Sequence, residues 1–112
     1  MQFSLNKSYQ ILERTPTILK SLLSDLDEKW IMNNEGPETF SPYDVIGHLI
    51  NGEKTDWIAR TKRILEFGLS KPFEPYDRFA QNEESKGKTL TKLLDEFESI
   101  RKENLICLKS LN

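Results

Sequence analysis

Few side chains of this chain are suited to chemistry, and they lie on two predicted helices. The sequence holds a single histidine, His48, and a single cysteine, Cys107. A mononuclear transition-metal site needs several convergent ligands, so a lone helical histidine is more often a hydrogen-bonded packing residue. A lone helical thiol is likewise interpreted as a packing residue. With one histidine, these 112 residues cannot by themselves form a site that needs two or more histidines.

A second group of residues places charge on an otherwise apolar helix face. At about 100° per residue, the predicted second helix clusters these apolar side chains on one arc: Val45, Ile46, Leu49, Ile50, Trp57 and Ile64. Glu53 and Arg60 fall near the centre of that arc, two turns apart. Arg101 lies beside Asn104 on the inner face of the last predicted helix. Removing an ion from water costs several kcal/mol, so these charges must be paired.

Two interpretations of these charges remain open. In the first, Glu53, Arg60, Arg101 and Asn104 form a buried structural network in which Glu53 pairs with Arg60. One of the pair is then expected to contact Arg101, Asn104 or the first helix. In the second, Glu53 is a catalytic carboxylate, because perturbed carboxylates also occupy such positions.

The elements that position these residues are predicted to be all α-helical, in one domain over residues 1–112. Apolar residues recur at steps of three and four, and no alternating strand pattern occurs. The predicted elements are a helix over about 3–30, a helix over about 42–67, a crossover loop over 68–88 and a helix over about 89–111.

Local signals set several of these boundaries. Ser41-Pro42-Tyr43-Asp44 is a strong helix start, because Ser41 can cap and Pro42 suits the first position. Gly68 is a natural stop. Pro16 interrupts the first helix without changing the phase of its apolar stripe, which predicts one kinked helix. The aromatic residues of the crossover, Phe73, Tyr76 and Phe79, are expected to pack on the surface of the bundle.

Composition narrows the function classes. The chain has 16 basic and 18 acidic residues and a net charge of −2, which argues against nucleic acid as a main partner. No apolar run approaches the ~20 residues of a membrane helix. A single cysteine suits a reducing compartment, so a cytoplasmic location is expected.

Several segments carry a family resemblance that covers nearly the whole chain. The most specific is Gly47-His48-Leu49 followed by Glu53, within the run that starts at Phe40. The others are Arg14-Thr15-Pro16, Trp30, Trp57 with Arg60, the loop Pro72–Asp77 and the run Leu94–Leu105. In this order they resemble the DinB-like superfamily, which includes the YfiT-like proteins.

The resemblance implies an up-down four-helix bundle with a long crossover. It also implies metal-dependent chemistry: related members act as thiol-dependent transferases or isomerases, or as hydrolases, often with zinc or nickel bound. Their site uses three histidines, one at the position of His48 and two on a fourth helix. This sequence has three predicted long helices and no other histidine. By resemblance, His48 is a ligand position of an incomplete metal site, and no tightly bound metal is expected.

Two functions follow. The first is a DinB-like protein that lacks independent catalysis because two of three ligand histidines are absent; its small-molecule substrate is not identified. The second is a helical interaction protein with no metal or enzymatic role. A homodimer is also predicted, because an open groove lined by Leu94, Phe97 and Leu108 of the last helix and by the second helix would need a partner. The stretch from Leu105 to Leu111 is the predicted seam.

Overall fold

The computed structural model describes residues 4–68, 70 and 79–111, and every regular element among them is a helix. The helices are α1 (Leu5–Leu23), α2 (Glu28–Met32), α3 (Pro42–Thr55), α4 (Trp57–Phe67), α5 (Gln81–Glu84) and α6 (Leu90–Ser110). The all-α prediction is therefore confirmed. None of the described helices has the length and apolar character needed to cross a bilayer.

The first predicted helix, about 3–30, is wrong in extent. α1 starts after Ser4, whose Oγ accepts from the backbone of Lys7 at 3.3 Å, and continues through Pro16. It ends at Leu23, because Asp25 adopts a left-handed backbone with φ of 65°. Asp27 then caps the separate short helix α2 by accepting from the backbone of Lys29 at 2.8 Å.

The second predicted helix, 42–67, is divided. It begins at the capping box of Ser41 and Asp44, in which each side chain bonds the other's backbone N–H, at 3.1 and 3.0 Å. Asp56, with φ of −108° and ψ of −95°, leaves the helical region and separates α3 from α4. α4 ends at Phe67, and Gly68 follows with a positive φ of 58°.

The crossover carries a short helix of its own. Residues 71–78, with Phe73 and Tyr76, lie outside the described residues. The following segment contains α5 and lies against α3, where the Tyr43 hydroxyl is 2.6 Å from the carbonyl oxygens of both Ser85 and Lys88. Thr89 then caps α6 through its side chain.

The core lies where α1 and α3 pack on α6. Its fully buried apolar residues are Ile46, Ile50, Leu93, Leu94 and Phe97. The predicted open groove is therefore wrong for Leu94 and Phe97, which are 2% and 0% exposed. They are buried because α3 covers this side of α6 within the same chain. Leu108 is half-buried.

Candidate functional site

Glu53 forms the centre of the polar interior. Its side chain is 1% exposed, and Arg101 Nε donates to its Oε1. Trp57 Nε1 donates to Oε2 at 2.6 Å. Asn104 Nδ2 donates to Oε2 and to the Glu53 backbone oxygen, both at 2.8 Å. Both carboxylate oxygens are thus satisfied, as a buried carboxylate requires.

Arg101 extends this network to the first helix. Its Nη1 donates to the backbone oxygen of Leu12 at 3.0 Å. In an uninterrupted α-helix that oxygen would accept from the N–H four residues later, but residue 16 is a proline and has none. Arg101 therefore supplies the donor that Pro16 removes. The guanidinium also lies 4.9 Å from the centre of the Phe97 ring.

The structure brings together three of the four predicted network residues, Glu53, Arg101 and Asn104, and leaves Arg60 out. The predicted pairing of Glu53 with Arg60 is wrong. Arg60 Nε instead bonds Asp56 Oδ1 at 3.0 Å, and its side chain is 36% exposed. The break at Asp56 ends the regular phase between the two positions, so Arg60 does not remain on the face of Glu53.

His48 stands apart from this network. It is half-buried on α3, and its ring lies 5.4 Å from the ring of Phe40 at an angle of 48°. Phe40 in turn meets Phe79 edge to face, with centroids 5.9 Å apart. The imidazole therefore lies against an aromatic pair that joins the segment before α3 to the part of the crossover just before α5.

The described residues do not fit a complete metal site. In that part of the chain, no group of three His, Cys, Asp or Glu side chains converges closely enough to hold an ion. Glu53 lies on the helix of His48, but its oxygens accept from Arg101, Trp57 and Asn104. Moving Glu53 to a metal would strand the buried Arg101 guanidinium, at a cost of several kcal/mol.

The glycine before His48 has a packing role that the sequence did not reveal. A Cβ on Gly47 would lie 2.5 Å from both Gln81 Oε1 and Ser85 Oγ. Both of those residues are buried, and α5 therefore lies directly on the backbone of α3. The residues that approach Gly47 lie more than thirty positions away and carry no signal of their own.

A charged, partly exposed cluster lies between α3 and α6. Glu96 lies between Lys54, at 3.2 Å, and Lys88, at 3.0 Å. Partial burial raises the pKa of the Glu96 carboxyl, but its hydrogen bonds to Lys88 and Lys54 outweigh burial and hold that pKa below the ordinary value. The cluster joins α3 and α6 to the segment between α5 and α6.

Neither a protein-family model nor a curated protein sequence matches the chain. Among solved structures, it is similar to YfiT from Bacillus subtilis, described as a probable metal-dependent hydrolase with an unusual four-helix bundle topology. The TM-score is 0.77 at 20% sequence identity, over 99% of this chain and 65% of YfiT. The chain thus spans about two thirds of the length of YfiT. The comparison confirms the helical-bundle fold predicted from the sequence and shows that YfiT shares it.

Proposed function

We propose that this chain, which has the helical-bundle fold of YfiT, is a DinB-like domain that supplies one metal-ligand position, His48, and does not catalyse a reaction by itself. The description of YfiT as a probable metal-dependent hydrolase gives the class of chemistry with which this bundle is associated. The observation that carries the proposal is that Arg101, Trp57 and Asn104 occupy both oxygens of the interior carboxylate, so Glu53 does not join His48 in a ligand set. The sequence has no other histidine, and the oxygens of Glu53 are occupied.

The proposal also explains why Glu53 is present. A carboxylate that served as a ligand or general base would need an oxygen free for the metal or the substrate. Glu53 instead joins α3 to α6 through Arg101 and Asn104, and Arg101 continues to α1. Its role is thus to fix the register of three helices. A competent metal centre would need ligands in addition to those that the described residues supply.

Metal content after loading tests the proposal. The chain is incubated with excess Zn²⁺ or Ni²⁺, dialysed, and measured by elemental analysis. We expect well below one metal ion per chain, because a single imidazole holds these ions weakly. His48→Ala should leave this metal content unchanged. Cys107→Ala is the matched control for the other soft ligand. Stoichiometric metal that is lost in His48→Ala and kept in Cys107→Ala would confirm His48 as a ligand and overturn the proposal that the site is incomplete in this chain.

A homodimer is the second candidate role, and one observation favours it. α1 carries an uncovered apolar stripe formed by Ile11, Ile18 and Leu22, which are 68%, 53% and 63% exposed. Their spacing of seven and four residues places them on one face. Exposed contiguous apolar surface marks interaction sites, and two-fold pairing is the commonest closed assembly.

Light scattering distinguishes this stripe from the seam predicted on the last helix. We expect a mass near twice the 13.1 kDa of the chain, reduced to the monomer by Ile18→Glu. Ile106→Glu, at a 72% exposed position of α6, is the matched control and should leave the dimer intact. Dissociation by Ile106→Glu alone would favour the predicted seam, and a monomeric wild type would reject the homodimer.

A further inference from the structure

A cavity of about 560 Å³ opens between α1 and α6. This volume lies within the roughly 300–1,000 Å³ of small-molecule sites. Its apolar walls are Pro16, Leu105 and Ile106. No residue of α3 lines it, so it is separate from His48 and from the aromatic pair of Phe40 and Phe79.

The rim of the cavity is charged and partly paired. Lys109 Nζ lies 2.5 Å from Glu13 Oε1, and Lys102 Nζ lies 3.6 Å from Glu98 Oε1. With Arg101, the lining carries three cationic side chains and two carboxylates. Glu53 already balances the charge of Arg101, so any preference for an anion comes from hydrogen-bond donors that face the cavity and not from net charge.

Arg101 offers the cavity a preorganised donor. Its hydrogen bonds within the described chain use Nε, to Glu53, and Nη1, to the Leu12 oxygen. Nη2 has no hydrogen-bond partner among these residues. Arg101 also lines the cavity, so Nη2 is the guanidinium nitrogen that is left to donate to a ligand there.

We propose that this cavity binds a small amphipathic carboxylate, whose oxygen accepts from Arg101 Nη2 while its apolar body packs on Leu105, Ile106 and Pro16. A guanidinium gives a carboxylate stronger hydrogen bonds than it gives a neutral acceptor. Glu53 and the Leu12 carbonyl already hold the guanidinium in place, so little side-chain entropy is lost on binding. The apolar walls select against a purely polar anion.

Calorimetric titration with sodium octanoate tests the site, and 1-octanol is the neutral probe of equal length. We expect octanoate to bind at least about tenfold more tightly than octanol, the effect of one charge-assisted hydrogen bond. Ile106→Glu places a negative charge at the exposed wall without disturbing the core, and it should weaken octanoate binding by at least about tenfold. Ile64→Glu, at a 53% exposed position on α4, is the matched control and should bind as wild type.

Every other outcome counts against the site. Absence of octanoate binding to the folded wild type, or equal affinity for octanoate and octanol, would overturn the role of Arg101. Binding that Ile106→Glu and Ile64→Glu weaken equally would show that the carboxylate lies elsewhere. Amide chemical shifts recorded with octanoate should move at Thr17 and Leu105 and stay constant at His48.

Discussion

α3 and α4 continue one sequence pattern but have different surroundings. α3 buries Ile46, Ile50 and Glu53, whereas the only buried residue of α4 is Ile58. α4 exposes Ile64 and Leu65 at 53% and 58%. α3 packs on α6, α5 and α2, while the main contacts of α4 are with α3 itself. An apolar stripe therefore identifies a face that can be buried, and the neighbouring elements decide whether it is.

The charged residues of the two helices show the same difference. Glu53 in α3 is enclosed and must be neutralised, so it takes donors from α4 and α6. Arg60 in α4 lies near the surface and bonds Asp56, four residues earlier. A buried charge has a large effect when its partner is removed, and an exposed ion pair contributes little.

The largest expected effect separates these two charges. Glu53→Ala strands the Arg101 guanidinium and should lower the free energy of unfolding by roughly 3–5 kcal/mol. Arg60→Ala removes only a surface pair and should change it by less than about 1 kcal/mol. Urea unfolding followed by circular dichroism measures both. Equal effects of the two substitutions would contradict the comparison.

Gly47→Ala tests the close packing of α5 on α3, the kind of burial that α4 lacks. In an uncovered helix, this substitution would stabilise by roughly 0.5–1 kcal/mol. Here the new methyl group would meet Gln81 Oε1 and Ser85 Oγ, so we expect a loss of roughly 1–3 kcal/mol. Thermal unfolding gives the sign.

A second variant identifies the cause of that loss. Ser85→Ala removes one of the two atoms that the methyl group would meet. Gly47→Ala should therefore cost less in the Ser85→Ala background than in wild type. A stabilising Gly47→Ala would show that α5 does not press on α3.

Trp57→Phe tests how α4 is attached to the interior. The substitution keeps an aromatic ring at the first position of α4 and removes the indole donor to Glu53. We expect a loss of about 1.5 kcal/mol, the lower range for a hydrogen bond to a charged group. Ile64→Ala, farther along α4, is the control and should change the unfolding free energy by about 0.5 kcal/mol or less. A larger effect of Ile64→Ala would mean that a neighbouring element buries Ile64 at the C-terminal end of α4.

The smallest expected effect is the pH dependence due to Glu96. Its native pKa is held below the ordinary value by Lys88 and Lys54, so the unfolded chain takes up the proton first as pH falls. The stabilisation is therefore present near neutral pH and is lost as pH falls through the native pKa. Partial exposure limits it to about 0.5 kcal/mol.

The difference in urea midpoint between near-neutral and acidic pH measures this effect. Glu96→Gln should make that difference smaller, and Glu103→Gln, at an exposed position of α6, should leave it as in wild type. An unchanged pH dependence in Glu96→Gln would assign the acid sensitivity to other carboxylates.

The parts of the fold that local residues encode could be predicted. The capping box at Ser41 and Asp44 and the stop at Gly68 depend only on neighbours in the sequence. The end of α1 also had local signals, because Asp25 tolerates a left-handed backbone and Asp27 can cap. The recurrence of Leu26 and Trp30 at helical spacing concealed them. The break at Asp56 has no proline or glycine to announce it.

Partner choice in the interior could not be predicted. The position of Glu53 on an apolar face showed that it needs a counter-charge, but spacing offered Arg60 on the same helix as readily as Arg101 on another. The contact of Arg101 with the Leu12 oxygen depends on Pro16 in α1, a helix that contains neither Glu53 nor Arg101. Tertiary packing between residues distant in sequence selects these hydrogen-bond partners. The periodicity of apolar residues cannot rank one possible partner above another.

The central claim is that Glu53 serves the fold by acting through Arg101, and a double-mutant cycle tests it most directly. Unfolding free energies are measured for wild type, Glu53→Gln, Arg101→Met and the double variant, all of which keep the side-chain volume nearly constant. We expect a coupling energy of roughly 1–3 kcal/mol, with the double variant more stable than the sum of the single losses predicts. Additive losses with no coupling would show that the two side chains act independently and would contradict this account.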